Sequence, residues 1–384
     1  MVAVVTDVHY RMSAALIRDL AEAGVRVIAC ETDEFSAPLG FSSKAVTRTV
    51  TLPQQGLTDG LYDLCRQIAE GTGEKPALLP VGAKTLQAVA DERARFEEVC
   101  GLCIPSPQQL MLLNDKAAVH RLAKSVGVPV PEIYAPAEGQ SLSRFVRSVP
   151  LPCVVKPLCG EQFGLPAAKR YVIAKTPEAL ENAYAQFCAL TGQAPLVQQY
   201  LPGDGLGCSV LAKDGKILCA ISHRRLREYP VTGGPSSCCK TEKSALLLPL
   251  VEPLVAACGL NGLAMFEFKE DADGEAHLLE CNPRIWGTFP LTRAAGTNFS
   301  YCWFCCAAGL PVPEYIRPKT VRMVFYPSDL AAALGYLRQG SVKKFFAAIA
   351  DYFRPGVKNG LYEKNDPKPS RVYRKALRKR RKLP

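Results

Sequence analysis

Two acids and an amide occupy positions that neighbouring strands would bring together. Glu267 follows the apolar run Leu263-Ala264-Met265-Phe266, and Glu280 and Asn282 belong to the stretch Glu280-Cys281-Asn282-Pro283-Arg284. Between them, Asp271-Ala272-Asp273-Gly274 has the composition of a hairpin turn, so the two segments read as antiparallel neighbours. Residues two apart on a strand face the same side, and a residue on the adjacent strand can sit across from them. Two carboxylates and an amide oxygen so placed form a hard-oxygen cage suited to magnesium bridging nucleotide phosphates. Arg284, two positions beyond Asn282, would offer a guanidinium to the same phosphates. A hairpin with a salt-bridged solvent face would carry the same residues, and spacing alone does not choose between the two.

Two lysines are placed where phosphate could be met. Lys156 ends the run Pro152-Cys153-Val154-Val155 and precedes Pro157, which puts a cation at a strand edge, while Lys116 sits early in a helix, after Asn114-Asp115. Each by itself also reads as an ordinary lysine. The loop after Lys156 carries Gly160 and Gly164 and could lie over phosphates through backbone N–H groups. His9, His120, His223 and the cysteines show no nucleophile motif of the Ser-His-Asp or Cys-His kind.

The elements that would hold these residues follow an α/β order. An apolar strand at Val2 to Val5, a helical pattern from Ser13 to Ala23, Gly24 as C-cap and a strand from Val25 to Cys30 predict a parallel sheet. The first strand-to-helix turn reads Thr6-Asp7-Val8-His9-Tyr10-Arg11-Met12 and lacks the G-x-G-x-x-G of a dinucleotide-binding domain. The loop Ile104-Pro105-Ser106-Pro107 ends a first domain over residues 1–105. Residues 106–200 read as a helix (108–126), a Pro-rich turn, a strand, a helix, the strand Cys153 to Lys156, a loop, the strand Arg170 to Ala174, a helix and the strand Leu196 to Tyr200; Leu201-Pro202-Gly203 breaks the run as a hinge. Strands at Ser209 to Ala212 and Ile217 to His223, a helix at Leu247 to Cys258 and the hairpin fill 201–312, and a helical appendage with a basic tail takes 313–384.

Composition bounds the class. With 384 residues, 48% of them hydrophobic, the chain is too long for one core and calls for several subdomains. Val2 to Val5 is too short for a signal segment and is followed by Asp7, and Phe299 to Val312 is shorter than a membrane span, so a cytoplasmic location is expected. Sixteen scattered cysteines then read as reduced thiols; Cys100/Cys103 and Cys302/Cys305 have C-x-x-C spacing, but no zinc-knuckle pattern supports them. The net charge is +11, and eight cations (Arg371, Arg374, Lys375, Arg378, Lys379, Arg380, Arg381, Lys382) lie in a terminal stretch without an acid. The body is nearly neutral, which argues against a nucleic-acid partner.

Taken in order, Asn-Asp-Lys opening a helix, Val-Val-Lys-Pro, a glycine-bearing loop, Val197-Gln198-Gln199-Tyr200-Leu201-Pro202-Gly203 and Phe266-Glu267-Phe268 with Leu279 to Arg284 resemble the ATP-grasp superfamily. The resemblance is strongest over residues 105–310, and the stretches His223 to Glu228 and Thr232 to Ser236 are similar to a branch of bacterial carboxylate-amine ligases of unassigned substrate. It implies an α/β fold in which two α+β lobes grip ATP, preceded by a small Rossmann-like parallel domain. It implies ATP and two Mg²⁺, with Mn²⁺ as a substitute, and a carboxylate-amine (or carboxylate-thiol) ligase that forms its bond, C–N in the first case, through an acyl-phosphate and releases ADP and phosphate. Lys116 and Lys156 would contact phosphates; Gln198, Gln199, Tyr200 and Leu201 would form the adenine hinge; and Asp204 would take the ribose hydroxyls. Glu267, Glu280 and Asn282 would hold the metals, Arg284 would meet the transferring phosphoryl group, and Arg224, Arg225 and the Gly233-Gly234 loop would face the acceptor carboxylate. Departures are the bulky loop Cys159-Gly160-Glu161-Gln162-Phe163-Gly164, Gln199 where an acid is frequent, and Asp204 in place of a glutamate. A phosphotransferase and a non-catalytic nucleotide-binding module on the same fold are the alternatives.

One C-terminal feature is not required by that fold. Val342, Phe345, Phe346, Ile349, Tyr352 and Phe353 recur at helical spacing, with Lys343, Lys344 and Asp351 between them, which predicts an amphipathic helix. It could pack on the large lobe with the tail solvated, or hold the chain at an anionic membrane surface.

Overall fold

The computed structural model describes residues 1–158, 165, 171–231 and 233–380. The phosphate-loop residues Cys159 to Gly164, Thr232, and Arg381 and Lys382 of the tail lie outside the described residues.

The N-terminal unit is a parallel sheet in the order β3-β2-β1-β4, with β1 (Val2–Val5), β2 (Arg26–Thr32), β3 (Arg48–Leu52) and β4 (Ala77–Leu79). Helix α1 (Arg11–Glu22) joins β1 to β2, and α2 (Leu57–Thr72) joins β3 to β4; α3 (Ala83–Asp91) and α4 (Arg93–Val99) follow. All four residues of β1 are buried, as expected for a parallel strand covered on both faces. Gly24 turns α1 into β2 with φ +79°, a conformation that costs glycine little.

Ser106 opens α5 (Pro107–Asn114) with a capping box, its side chain accepting from Gln109 N while the Gln109 side chain accepts from Ser106 N. The single helix expected over 108–126 is two. Asp115 leaves helical geometry and caps α6 (Lys116–Ser125) by accepting from Ala118 N, so Lys116 becomes the first residue of a new helix.

A small lobe follows: β5 (Ile133–Tyr134), α7 (Leu142–Ser148), β6 (Cys153–Lys156), β7 (Val172–Ala174), α8 (Pro177–Thr191) and β8 (Leu196–Gln199), with an antiparallel sheet ordered β5-β8-β6-β7. Helices α7 and α8 cover one face, where Cys153, Val155 and Val197 pack with Phe145 and Phe187. Strand alternation puts Lys156 and Gln198 on the other face.

The large sheet has seven strands in the order β13-β12-β9-β10-β11-β14-β15. It is built from β9 (Gly205–Lys213), β10 (Lys216–Glu228), β11 (Ser236–Glu242), β12 (Gly262–Glu270), β13 (Ala276–Asn282), β14 (Arg322–Val324) and β15 (Lys358–Asn359). Its outer face packs on α6 and α9 (Ser244–Ala257) through Leu206, Cys208, Phe266, Phe268 and Leu254. Half of its inner face packs on α1 and on α11 (Phe299–Ala307), which follows the short α10 (Pro290–Ala294); Ile221 and Met265 meet Trp286, Phe299 and Trp303 there. The apolar run at Phe299 is thus an interior helix, and among the described residues no helix is long and apolar enough to cross a membrane.

β10 runs to Glu228, five residues past the expected end at His223, and β3 and β11 were not anticipated. Three arginines hide the strand pattern in β10, and Ser236–Glu242 contains no large apolar residue to mark a strand. Past residue 313, where only helices were expected, the chain adds β14 and β15 to the sheet alongside α12 (Ser328–Arg338), α13 (Val342–Ala350) and α14 (Lys368–Arg380). The start of α14 is docked rather than solvated. Val372 and Tyr373 pack with Ala14, Leu39 and Leu361, and buried Arg18 donates to Asp366 Oδ2 and to the carbonyls of Leu361 and Asp366, each at 2.9 Å.

The described cysteines are thiols, buried except for Cys188 and Cys258. The two C-x-x-C pairs do not converge: Cys103 Sγ instead lies 2.8 Å from Cys306 Sγ. Among the described residues no thiol belongs to a cluster able to hold a metal.

Candidate functional site

The open half of the large sheet's inner face carries the charged residues. In successive rows, Ile221 and Met265 belong to the core, while the next row places Glu280, Glu267, Gly207 and His223 side by side on β13, β12, β9 and β10. Glu267 is directly opposite Glu280, and Asn282, two residues along β13, donates from Nδ2 to Glu267 Oε1 at 3.1 Å. The structure therefore brings the expected trio together, with side chains only 15% and 32% exposed for Glu267 and Glu280.

Cations surround it. Lys116 Nζ, at the start of α6, is 3.1 Å from Glu280 Oε2, and Arg225 NH2 is 2.6 Å from Glu267 Oε2. Arg284 donates from NH2 to Asn282 Oδ1 at 3.1 Å and from NH1 to Ile285 O at 3.2 Å. Lys156 reaches from the small lobe into the same field and is buried. Burial lowers its pKa to about 8, a fall that Glu280 opposes and Lys116 reinforces. Burial raises the pKa of Glu267, and Glu280 opposite adds to the rise against the pull of Arg225. Glu280 also feels burial, but Lys116 and Lys156 outweigh it and hold its carboxyl down at about 2. One acid of a close pair is stabilised as the anion and the other resists ionisation, the division expected when two carboxylates share a site.

The hinge residues occupy distinct positions. Gln198 is buried on the face that looks toward the large lobe, and among the described residues its Oε1 has no hydrogen-bond partner. Gln199 faces the other way: its N donates to Glu132 O at 2.8 Å and its Oε1 accepts from Glu132 N at 3.2 Å. Lys269 Nζ stands 5.7 Å from the ring centre of Tyr200, and Leu201 is buried. Gly203 N donates to Glu270 O, and a Cβ on Gly203 would collide with Glu270, so the hinge is zipped to the end of β12. Asp204 Oδ2 accepts from Arg224 NH1 at 3.1 Å and is not brought to the trio.

Residues 192–326 match the family described as ATP-grasp in the biosynthetic pathway with Ter operon. Among solved structures, the biotin carboxylase domain dimer of Hydrogenobacter thermophilus 2-oxoglutarate carboxylase, in complex with MgADP, ADP and bicarbonate, is similar with a TM-score of 0.62 at 19% identity, over 80% of this chain and 69% of that one. The biotin carboxylase from Campylobacter jejuni, solved as a β-γ-ATP complex, gives 0.63 at 15% over 81% and 72%, and the L-amino acid ligase from Bacillus licheniformis gives 0.57 at 16% over 80% and 73%. The chain has the ATP-grasp fold. No curated protein matches it.

Within this fold, two arrangements escaped the sequence reading. Gly205 and Gly207 clear a lane across β9: a Cβ on Gly207 would collide with the His223 ring and one on Gly205 would crowd Arg225, so the glycines let Arg225 cross a whole strand to Glu267. The alternation Gly205-Leu206-Gly207 was the available signal. Arg224, by contrast, does not face the site. It points to the outer face, where it donates to Glu270 at 2.6 and 2.7 Å and to Glu242 at 2.8 Å, because neighbours on a strand alternate.

The second arrangement lies at the carboxyl ends of β1 and β2, the edge where open parallel sheets bind ligands. His9 Nδ1 is 2.8 Å from Glu31 Oε2, the same oxygen accepts from His9 N, and the ring stacks on Phe35 at 3.7 Å. Glu31 is buried. The turn before it holds Asp7 at φ +53°, fixed by Gly82 N and Thr85 Oγ1, each donating to its carboxylate at 2.8 Å. Arg11 anchors the turn beside the ATP-grasp cleft by donating to Gly287 O at 3.2 Å, three residues beyond Arg284. A histidine and an acid 22 positions apart give no sequence signal.

Proposed function

We propose that the chain is an ATP-dependent ligase that activates a carboxylate as an acyl-phosphate and joins it to an amine, releasing ADP and phosphate. The observation that carries this reading is the facing pair Glu267 and Glu280, ringed by Lys116, Lys156, Arg225 and Arg284 between two lobes. The donor set fits magnesium: a carboxylate kept ionised at about 2, a second carboxylate and an amide oxygen are hard ligands. Glu267, Glu280 and Asn282 would hold the metal, which would neutralise phosphate charge when bound with ATP; Mn²⁺ has the same ligand preference. Lys116 and Lys156 would bind and orient phosphate oxygens, and Arg225 and Arg284 would balance charge on the transferring group and the carboxylate. Positioning and electrostatics then supply the catalysis, with no nucleophilic side chain. Gln198 Oε1, without a hydrogen-bond partner among the described residues, would meet the adenine with the hinge backbone. On the acceptor side, the Glu31–His9 pair would orient the amine and take its proton.

The test is ADP release by the purified chain with pools of carboxylates and amines, followed by mass analysis of the product and by hydroxylamine trapping. ADP release that needs both substrates, with hydroxamate formed when hydroxylamine replaces the amine, is the expected result. A phosphorylated product without hydroxamate would make the chain a phosphotransferase, and nucleotide binding without turnover would make it a binding module. In the same assay His9→Ala should lower kcat/KM for the amine and leave hydroxamate formation intact.

A further inference from the structure

Helices α12 and α13 form a hairpin whose inward side is accounted for. Ala332, Ala333 and Ala348 are buried, and Asp329 and Asp351 are clamped by Arg227. Its outward side is apolar: Leu334 and Leu337 of α12, Val342 and Phe346 of α13, and Phe353 just beyond are all exposed, Phe346 by 63% and Phe353 by 82%. Residues of this type belong in a core, and several together on a surface mark a place where something else binds.

The charge around them names the occupant. Between Leu330 and Tyr362 the only acid is Asp351, which is 1% exposed and bonded to Arg227 and Arg322. The exposed charges there are Arg338, Lys343, Lys344, Arg354 and Lys358, all cationic. Helix α14 adds exposed Arg371, Lys375 and Arg378, with no acid after Asp366, and Arg374 lies 5.9 Å from the ring centre of Tyr326 at the end of β14, from which α12 departs. A second copy docking by two-fold symmetry would set cations against cations. An anionic bilayer takes up aromatic side chains at its headgroup boundary and attracts every one of these charges.

We propose that the outward face of the α12–α13 hairpin, with the cations of α14, docks the protein peripherally on anionic lipid. Gly335 of α12 lies against Val231, so docking would hold Val231 near the lipid surface. The full-length chain should cosediment with vesicles of phosphatidylglycerol and phosphatidylcholine, and not with phosphatidylcholine alone, and binding should weaken as salt rises. Lys343→Glu/Lys344→Glu and Phe346→Ser/Phe353→Ser should each weaken that binding on the order of tenfold or more while the thermal unfolding midpoint stays unchanged. Equal pelleting with neutral and anionic vesicles, no pelleting, or indifference to both double variants would overturn the proposal. So would a dimer, seen by ultracentrifugation, that Phe346→Ser/Phe353→Ser dissolves in the absence of any vesicle binding, since the face would then be a contact between copies.

Discussion

Two clusters of buried charge lie on β10, two residues apart, and they are built on opposite plans. At the root of the α12–α13 hairpin Arg227 donates from Nε and NH2 to the two oxygens of Asp329 at 2.8 and 3.0 Å and from NH1 to Asp351 at 2.7 Å; Ser237 adds a bond to Asp329, and Arg322 one to Asp351. Burial pushes the Asp351 carboxyl up, yet Arg227 and Arg322 outweigh it and hold it below the usual range. Each charge there is cancelled in place. In the cleft, two carboxylates face each other across one strand pair, one held at about 2 and the other raised, and Lys156 is drawn down to about 8. That set is frustrated until charges of both signs arrive with a ligand. Saturated partners mark a structural cluster, and mutually perturbed ones mark a functional candidate.

The largest expected effect is at Glu280. Glu280→Gln should cut ATP turnover on the order of 10³-fold, because a preorganised charge at the reacting phosphates is lost. Its thermal midpoint should move less than that of the Arg227 variant below, since the change also relieves repulsion with Glu267. Near wild-type turnover would erase the distinction between the clusters.

Arg227→Met should show the reverse pattern. Leaving Asp329 and Asp351 buried without their cation should destabilise the fold by about 3–5 kcal/mol, measured as a lower urea midpoint. Turnover per folded molecule should stay within about twofold. A large loss of turnover with unchanged stability would place this cluster in the chemistry.

The smallest effect concerns the cleft floor. Burial, with Arg225 adding to it, drives the His223 pKa down to about 3, and its ring stands 3.3 Å from Thr288 Oγ1. The unfolded chain takes up a proton near pH 6.5 where the folded one does not, so stability is fully present above 6.5 and declines as pH falls toward 3. At pH 5 a histidine held neutral costs about 2 kcal/mol. His223→Gln should therefore flatten the fall in thermal midpoint between pH 7 and 5; an unchanged slope would mean that His223 is protonated in the fold.

Much of this was legible in the chain because the signals are local. The apolar runs that end in Glu267 and Glu280, joined by an Asp-Gly turn, required adjacent strands, and strand alternation then required Asn282 on the side of Glu280. Lys156 at the end of β6 followed from the same logic, whereas Lys116 heads a helix only because Asp115 interrupts the single helix expected over 108–126. Strand ends were harder. β10 was cut short at His223 because charged residues in a sheet look like a loop until a cleft or a partner receives them.

The three arginines of β10 divide what the sequence determined from what it did not. Composition made the stretch basic, and the hairpin residues made a cage, through chemistry carried within a few positions of chain. Where each guanidinium went was decided elsewhere: Arg224 to Glu242 and Glu270 on the outer face, Arg225 across two glycines to Glu267, and Arg227 to Asp329 and Asp351 more than 100 residues away. A register shift between Arg225 and Arg227 reassigns the facing of the last of them. The same holds for His9 and Glu31, and for the aromatic side of α13 that the packed hairpin leaves outside. Amphipathic spacing fixes that a helix has an apolar stripe, but only the packing of the rest of the chain decides whether that stripe is covered, because burial is a property of surfaces meeting and not of residues in sequence.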